Sequence, residues 1–280
     1  MPRPRLRLAL AAAVAVSALA LAGCAGGGSS GSGGSSSGYV TDGKLTVATG
    51  DPAYFPYVID NKPQSGKGFE SAVVYAIADQ LGFAKKDVVW KRSTFDQGIA
   101  PGPKDWDFDI QQYSITDERK KNVDFSPSYY STPQAVITLK GSKAADVHDL
   151  AGLKGLLIGA QTGTTSLQAI QETIKPTSAP QVFNSNDDAV LALKSNQIDA
   201  LVVDLPTAFY LTGAELKNGV LIGQLPSADG VSDDWGVVLT KGSKLTPKVT
   251  KAVDALKADG ELDKIADKWL GADAGAPVLK

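Results

Sequence analysis

The sequence predicts an α/β fold, and two observations carry that reading. From Lys44 onward short β-branched runs alternate with segments of helical apolar spacing, and the runs end at turn residues such as Gly50-Asp51 and Gly82. Such alternation builds βαβ units and largely parallel sheets. At 280 residues the chain also has the length for two lobes of ordinary domain size. Leu45-Thr46-Val47-Ala48-Thr49 is the first expected strand. Glu70 to Leu81 is the first expected helix, with Val73, Val74, Ile77, Ala78 and Leu81 on one face before Gly82. Further strands are expected at Val88 to Lys91, Phe108 to Ile110, Ala135 to Leu139, Leu156 to Gly159 and Ala200 to Val203. Thr116 reads as the cap of a helix beginning Asp117-Glu118-Arg119. Other helices are expected at Ser166 to Thr173, at Asp187 to Ser195 behind an Asn186 cap, and at Pro206 to Leu211. Pro247 to Leu270 reads as two amphipathic helices broken at Gly260. No internal repeat is visible.

With 21% charged and 43% apolar residues and a formal charge of −2, the composition is that of a globular chain. Its scattered lysines and arginines, outnumbered by acids, argue against a nucleic-acid partner. One cysteine and one histidine, His148, exclude an intramolecular disulfide, leave no metal site in view, and make His or Cys catalysis an unfavourable reading. The N-terminus accounts for the cysteine. Arg3, Arg5 and Arg7 precede an apolar stretch from Leu8 to Ala22, the form of an export signal and short for a spanning helix. Leu21-Ala22-Gly23-Cys24 resembles a bacterial lipobox, which implies a signal peptide over residues 1–23 and lipidation of Cys24. Loss of the signal takes the 28 basic residues to 25 against 30 acidic, a formal −5. Ala25 to Gly38 is almost entirely Gly and Ser, a flexible tether. A diacylated cysteine supplies the two chains that durable anchoring requires.

In open α/β sheets ligands bind beyond the C-terminal ends of strands. Asp51 and Asp204 both stand there, as turn or helix caps or as functional acids. Arg119, in the first turn of its expected helix, opposes the helix dipole, so an anion should compensate it. Asp117, Glu118, a neighbouring lobe or an external carboxylate all qualify; a guanidinium grips the last in a bidentate pair. Gly159-Ala160-Gln161-Thr162-Gly163-Thr164-Thr165-Ser166 comes after a strand and opens a helix, an anion cradle in form but without the lysine and spacing of a Walker A loop. Tyr54 and Phe95 lie in post-strand loops, and His148 reads as a loop residue before a strand.

Several motifs line up in order with one family. They are Asp51-Pro52-Ala53-Tyr54, Gly68-Phe69-Glu70, the long run from Ser114 to Ser126 followed by Tyr129-Tyr130, Gln161 to Thr165, Asp199-Ala200 with Asp204, Trp235-Gly236-Val237, and Asp259-Gly260 to Trp269-Leu270-Gly271. From Lys44 to Gly271 the chain resembles solute-binding protein family 3, the polar amino-acid receptors of ABC importers. That resemblance implies a two-lobe type II periplasmic-binding-protein fold, each lobe a mostly parallel sheet flanked by helices. It places lobe 1 at 44–130 plus 235–271 and lobe 2 at 131–234, with a hinge at crossings near 131–133 and 231–235; residues 24–43 precede them as lipidated cysteine and tether. It implies that Arg119 binds an α-carboxylate with help from the Thr165 N–H and Ser114, that Asp204 accepts the α-ammonium, and that Tyr54 and Phe95 sandwich the side chain. Asp51 matches an acidic position that meets a cationic or amide side chain.

The departures from the family pattern are Glu70 and Ala72 in place of aspartates, Gln111 and Gln112 where small residues are usual, and Gln161 where some glutamine binders carry lysine. Gln112 is expected to intrude on the pocket. No cofactor is expected; the expected partners are an amino acid, an importer permease and, through Cys24, the outer face of the cell membrane, with the protein a monomer. Two rival readings are an anchored amino-acid sensor and a dehydratase on the same fold.

Overall fold

The protein is described from a computed structural model covering residues 38–226, 233–271 and 275–280. The expected signal peptide, Cys24 and nearly all of the Gly/Ser tether lie outside the described residues, as do Val231 and Ser232 of the second expected crossing. Among the described residues no helix is long and apolar enough to cross a membrane.

The chain runs β1 (Leu45–Gly50), α1 (Phe69–Gln80), β2 (Val88–Ser93), α2 (Phe95–Ile99), β3 (Phe108–Asp109), β4 (Val123–Phe125), β5 (Tyr130–Thr132), β6 (Gln134–Leu139), α3 (Leu150–Leu153), β7 (Ile158–Gln161) and α4 (Thr165–Ala169). It continues through β8 (Gln181–Phe183), α5 (Asn186–Lys194), β9 (Ala200–Asp204), α6 (Leu205–Tyr210), β10 (Gly219–Gln224), β11 (Asp233–Trp235), β12 (Val238–Thr240), α7 (Thr246–Ala258) and α8 (Glu261–Leu270). Two five-stranded sheets result, ordered β2-β1-β3-β12-β4 and β10-β6-β9-β7-β8, and β5 pairs with β11 as a separate antiparallel ribbon.

Each five-stranded sheet contains one reversed strand. β12 runs antiparallel to β3 and β4, and β6 antiparallel to β9 and β10. A parallel neighbour needs a long crossover, whereas these strands are entered from the β5·β11 ribbon through one or two residues. Around them β1 is buried on both faces, as a strand covered by helices on each side must be. Phe69, Val73 and Ile77 of α1 pack with Leu239 and with Val253 of α7 in the core of the first lobe. In the second lobe β9 divides its side chains by the two-residue strand period: Leu201 and Val203 enter one core, Ala200 and Val202 the other.

Several local expectations shift. The strand expected from Leu156 is Ile158–Gln161, two residues on. α4 is short and continues as a π-helical turn, Ile170–Ile174. Ser185, not Asn186, caps α5, its Oγ accepting from the Asp188 N–H at 3.1 Å. Thr116 accepts from the Arg119 N–H at 3.2 Å, but the helix expected behind it is only a single 3-10 turn, Arg119–Lys121. Phe95 opens a helix rather than lying in a loop, because Thr94 and Gln97 form a reciprocal cap. His148 precedes the short helix α3, not a strand. The C-terminal residues return to the second sheet: Gln224 donates to the Pro277 carbonyl at 2.8 Å, Leu279 donates back at 2.9 Å, and Leu279 is 2% exposed.

Candidate functional site

The nine residues singled out from sequence line one cavity of about 140 Å³ between the lobes. Their positions derive from the strand ends. Asp51 and Tyr54 come after β1, Phe95 opens α2, and Gln112, Ser114 and Arg119 lie beyond β3. From the other lobe Gln161 ends β7, Thr165 opens α4 and Asp204 ends β9. Asp51 is exposed at the mouth. Tyr54 holds a hydrogen bond with Asp187; burial first, and then this neighbour, push its phenol up.

Arg119 is 7% exposed. Its Nη1 donates to the Ser114 carbonyl at 2.7 Å and its Nη2 to the Gly163 carbonyl at 2.8 Å, so the guanidinium already bridges the lobes. The guanidinium carbon lies 5.3 Å from the centre of the Phe95 ring. Gly163 sits at φ 70°, the left-handed region that glycine occupies without strain, and its carbonyl is thereby available to Arg119. Among the described residues Arg119 has no salt-bridge partner within 4.0 Å. Burial opposes its charge, and the more distant Tyr113, Asp233 and Asp204 offset that in part.

Asp204 carries the opposite imbalance. Burial, then the nearby Asp233, push its carboxyl up to about 8, while Gln134 and Arg119 pull it down. Gln134 Nε2 donates to Asp204 Oδ1 at 2.6 Å and also to Asp233, and Gln134 Oε1 accepts from Ser166 at 2.6 Å. Asp233 is raised by burial against the bonds it accepts from Gln134 and Thr165. Thr165 Oγ1 lies 3.1 Å from Ser114 Oγ across the cleft.

Sequence reading missed Gln134, Asp233 and Glu70. The β6·β9 register sets Gln134 opposite Asp204, and the β5·β11 ribbon brings Asp233 beside it. Neither is a local signal. Glu70 was visible in the Gly68-Phe69-Glu70 motif and as a departure, but not as part of the site. It is 1% exposed, and its carboxylate accepts from the Gln112 N–H at 2.8 Å, from Gln112 Nε2 and from the Tyr129 hydroxyl. Gln112 lines the cavity as expected, with its amide nitrogen drawn onto Glu70.

Residues 45–272 match the bacterial extracellular solute-binding proteins, family 3, along the span that forms these two lobes. The chain belongs to that family. Among similar family 3 proteins, the L-arginine-binding protein of Pseudomonas aeruginosa is 30% identical over 80% of this chain and 86% of its own length. The ABC transporter glutamine-binding protein GlnH of Bacillus subtilis is 34% identical over 75% of this chain and 76% of its own. A solved structure of an ancestral arginine-binding protein bound to glutamine superposes with a TM-score of 0.69 at 32% identity, covering 83% of this family 3 chain and all of that one.

Proposed function

We propose that this family 3 chain is the extracytoplasmic substrate-binding component of an ABC importer and captures a free amino acid between its lobes. One observation carries the reading. A buried guanidinium and a carboxylate of opposite charge face one small cavity, and neither has an ion partner among the described residues. Buried charge of this kind is costly until paired. An α-carboxylate on the free edge of the Arg119 fork, with Ser114 and the Thr165 N–H, and an α-ammonium on Asp204 satisfy both at once. Tyr54 and Phe95 flank the side chain, and Asp51, Gln112 and Gln161 favour one that is cationic or an amide.

Lobe 1 is 44–130 plus 235–271 and lobe 2 is 131–234. The β5·β11 ribbon is the hinge, and the ligand shifts the population toward the closed form because it touches both lobes only there. A micromolar affinity corresponds to about 8 kcal/mol. Cys24 is lipidated, and the Gly/Ser tether holds the lobes near the permease. The protein acts as a binder, in keeping with the names of its relatives. Calorimetric titration of the mature protein against the twenty amino acids tests this: one or a few should bind with micromolar or tighter affinity, and binding of none overturns it.

A further inference from the structure

The cleft floor carries two adjacent glutamines, and each has its amide nitrogen tied to a buried carboxylate that amino-acid capture as described leaves unused. Gln111 Nε2 lies 3.0 and 3.1 Å from the two oxygens of Asp109 and 3.3 Å from the Ser93 carbonyl. Asp109 is 0% exposed and accepts a further bond from the Tyr113 hydroxyl at 3.2 Å. Gln112 Nε2 donates to one oxygen of Glu70, and the Gln112 main-chain N–H donates to the other. Gln112 itself stands at φ 51°, a left-handed conformation uncommon for a residue with a side chain.

These pairings decide which way the amides face. Turning either one over would set its carbonyl oxygen against a carboxylate oxygen. Both glutamine side-chain oxygens accept no hydrogen bond among the described residues, and both residues line the cavity. Gln111 Oε1 reaches within 3.2 Å of where a Cβ on Gly50, another lining residue, would stand. Two buried carboxylates are an expensive way to build a cavity wall when apolar side chains would pack as well. Their geometry is economical only if the orientation they impose is used.

We propose that Glu70 and Asp109 are positioning residues that hold the Gln112 and Gln111 amides with oxygen toward the ligand. The cleft therefore selects amino acids whose side chains donate hydrogen bonds, such as guanidinium or primary amide, over those whose side chains only accept. This deepens the amino-acid reading above and rests on it. An acceptor side chain meets two fixed carbonyl oxygens and leaves polar groups unpaired on both sides.

The test is calorimetric titration at pH 8, where Glu70 and Asp109 are ionised, of L-arginine, L-glutamine and L-glutamate into the full mature chain in detergent, for wild type, Glu70→Gln, Gln112→Met and the double variant. Wild type should discriminate against glutamate at least 100-fold relative to its preferred donor ligand. Glu70→Gln lets the Gln112 amide turn over and should narrow that ratio about tenfold. Gln112→Met should narrow it by a similar factor, and the double variant no further, since both act through one amide. Multiplicative effects would show that Glu70 acts through its charge alone, and equal weakening for every ligand would show that it only supports the fold; either overturns the inference. Asp109→Asn gives an independent reading through Gln111 if Glu70→Gln does not fold, with the same narrowing expected and an unchanged ratio counting against it. Wild type that prefers glutamate overturns this inference alone, while wild type that binds no amino acid overturns the reading beneath it.

Discussion

Lowering the pH from 8 to 6 should weaken amino-acid binding, and Asp204 is the reason. Its carboxyl is pushed up to about 8 by burial and by Asp233 on the other hydrogen of the Gln134 amide. The ligand ammonium pairs with the ionised form only, so below pH 8 binding must expel a proton. One proton per ligand gives a loss of affinity that approaches tenfold per pH unit well below pH 8, about 50-fold in all from pH 8 to pH 6, or about 2.3 kcal/mol. Titration calorimetry at pH 6, 7 and 8 in phosphate and in Tris reads both quantities, because the heat difference between buffers counts the protons released. Glu70, raised to about 7, and Asp109, raised to about 6, titrate in or near the same window. Asp204→Asn assigns the effect: it should bind weakly and keep only the small residual pH dependence that Glu70 and Asp109 impose between 6 and 8. A wild-type affinity that stays within threefold over this range with no proton release, or an Asp204→Asn variant with the wild-type slope, refutes the reasoning. The stability of the ligand-free protein responds in the opposite direction. The folded value lies above the unfolded value of about 4, so this group's contribution is fully present below pH ~4 and is lost as pH rises through about 8. The ligand-induced rise in Tm should accordingly be larger at pH 8 than at pH 6.

Three further outcomes are expected. Arg119→Ala should lose at least about 100-fold in affinity, since charge-assisted hydrogen bonds contribute roughly 1.5–3 kcal/mol each, and Arg119→Lys should recover only part because it lacks the fork; calorimetry measures both. Leu279→Ala should lower stability by about 2–5 kcal/mol with ligand affinity unchanged, read by denaturant melts, because Leu279 is buried against the second sheet and does not line the cavity. Gly98→Ala should cost about 1–3 kcal/mol and weaken binding as well: its Cβ would stand 1.9 Å from the Tyr113 hydroxyl, and Tyr113 stacks on Phe95 with ring centres 4.7 Å apart.

Much of the site was legible because its residues stand at strand ends, which the period of the strands reveals. Asp51 after β1 and Asp204 at the end of β9 were found that way, and Arg119 by its misfit with a helix N-terminus. What was lost depends on pairing between distant strands. The antiparallel course of β6 and β12, and with it the placing of Gln134 against Asp204, is set by the ribbon of β5 and β11, whose three-residue strands carry no periodicity to read. The return of Leu279 to the second sheet escaped for the same reason: the C-terminal residues are short, and their partner Gln224 lies 55 positions earlier. Glu70 stood in view as one departure among several, but a carboxylate that clamps a glutamine 42 residues on is a tertiary fact.

The contacts that join the lobes bear on kinetics as well as affinity. Tyr57 Oη lies 2.8 Å from Thr207 Oγ1, joining α6 to the segment after β1, and Tyr57 is not among the residues that line the cavity around Arg119 and Asp204. Tyr57→Phe removes this bond and keeps the ring edge-on to Trp235, with ring centres 5.6 Å apart. A hydrogen bond of this kind contributes about 0.5–1.5 kcal/mol net. If the ligand lands on one open lobe and closure comes second, the loss falls on the dissociation rate, which should rise about 2- to 12-fold while the association rate holds. Stopped-flow fluorescence reports both rates through the tryptophans. An unchanged dissociation rate would mean that this bond is already made in the open form. A slowed association rate would mean that closure precedes capture, so that the open lobes are not the state that meets the amino acid.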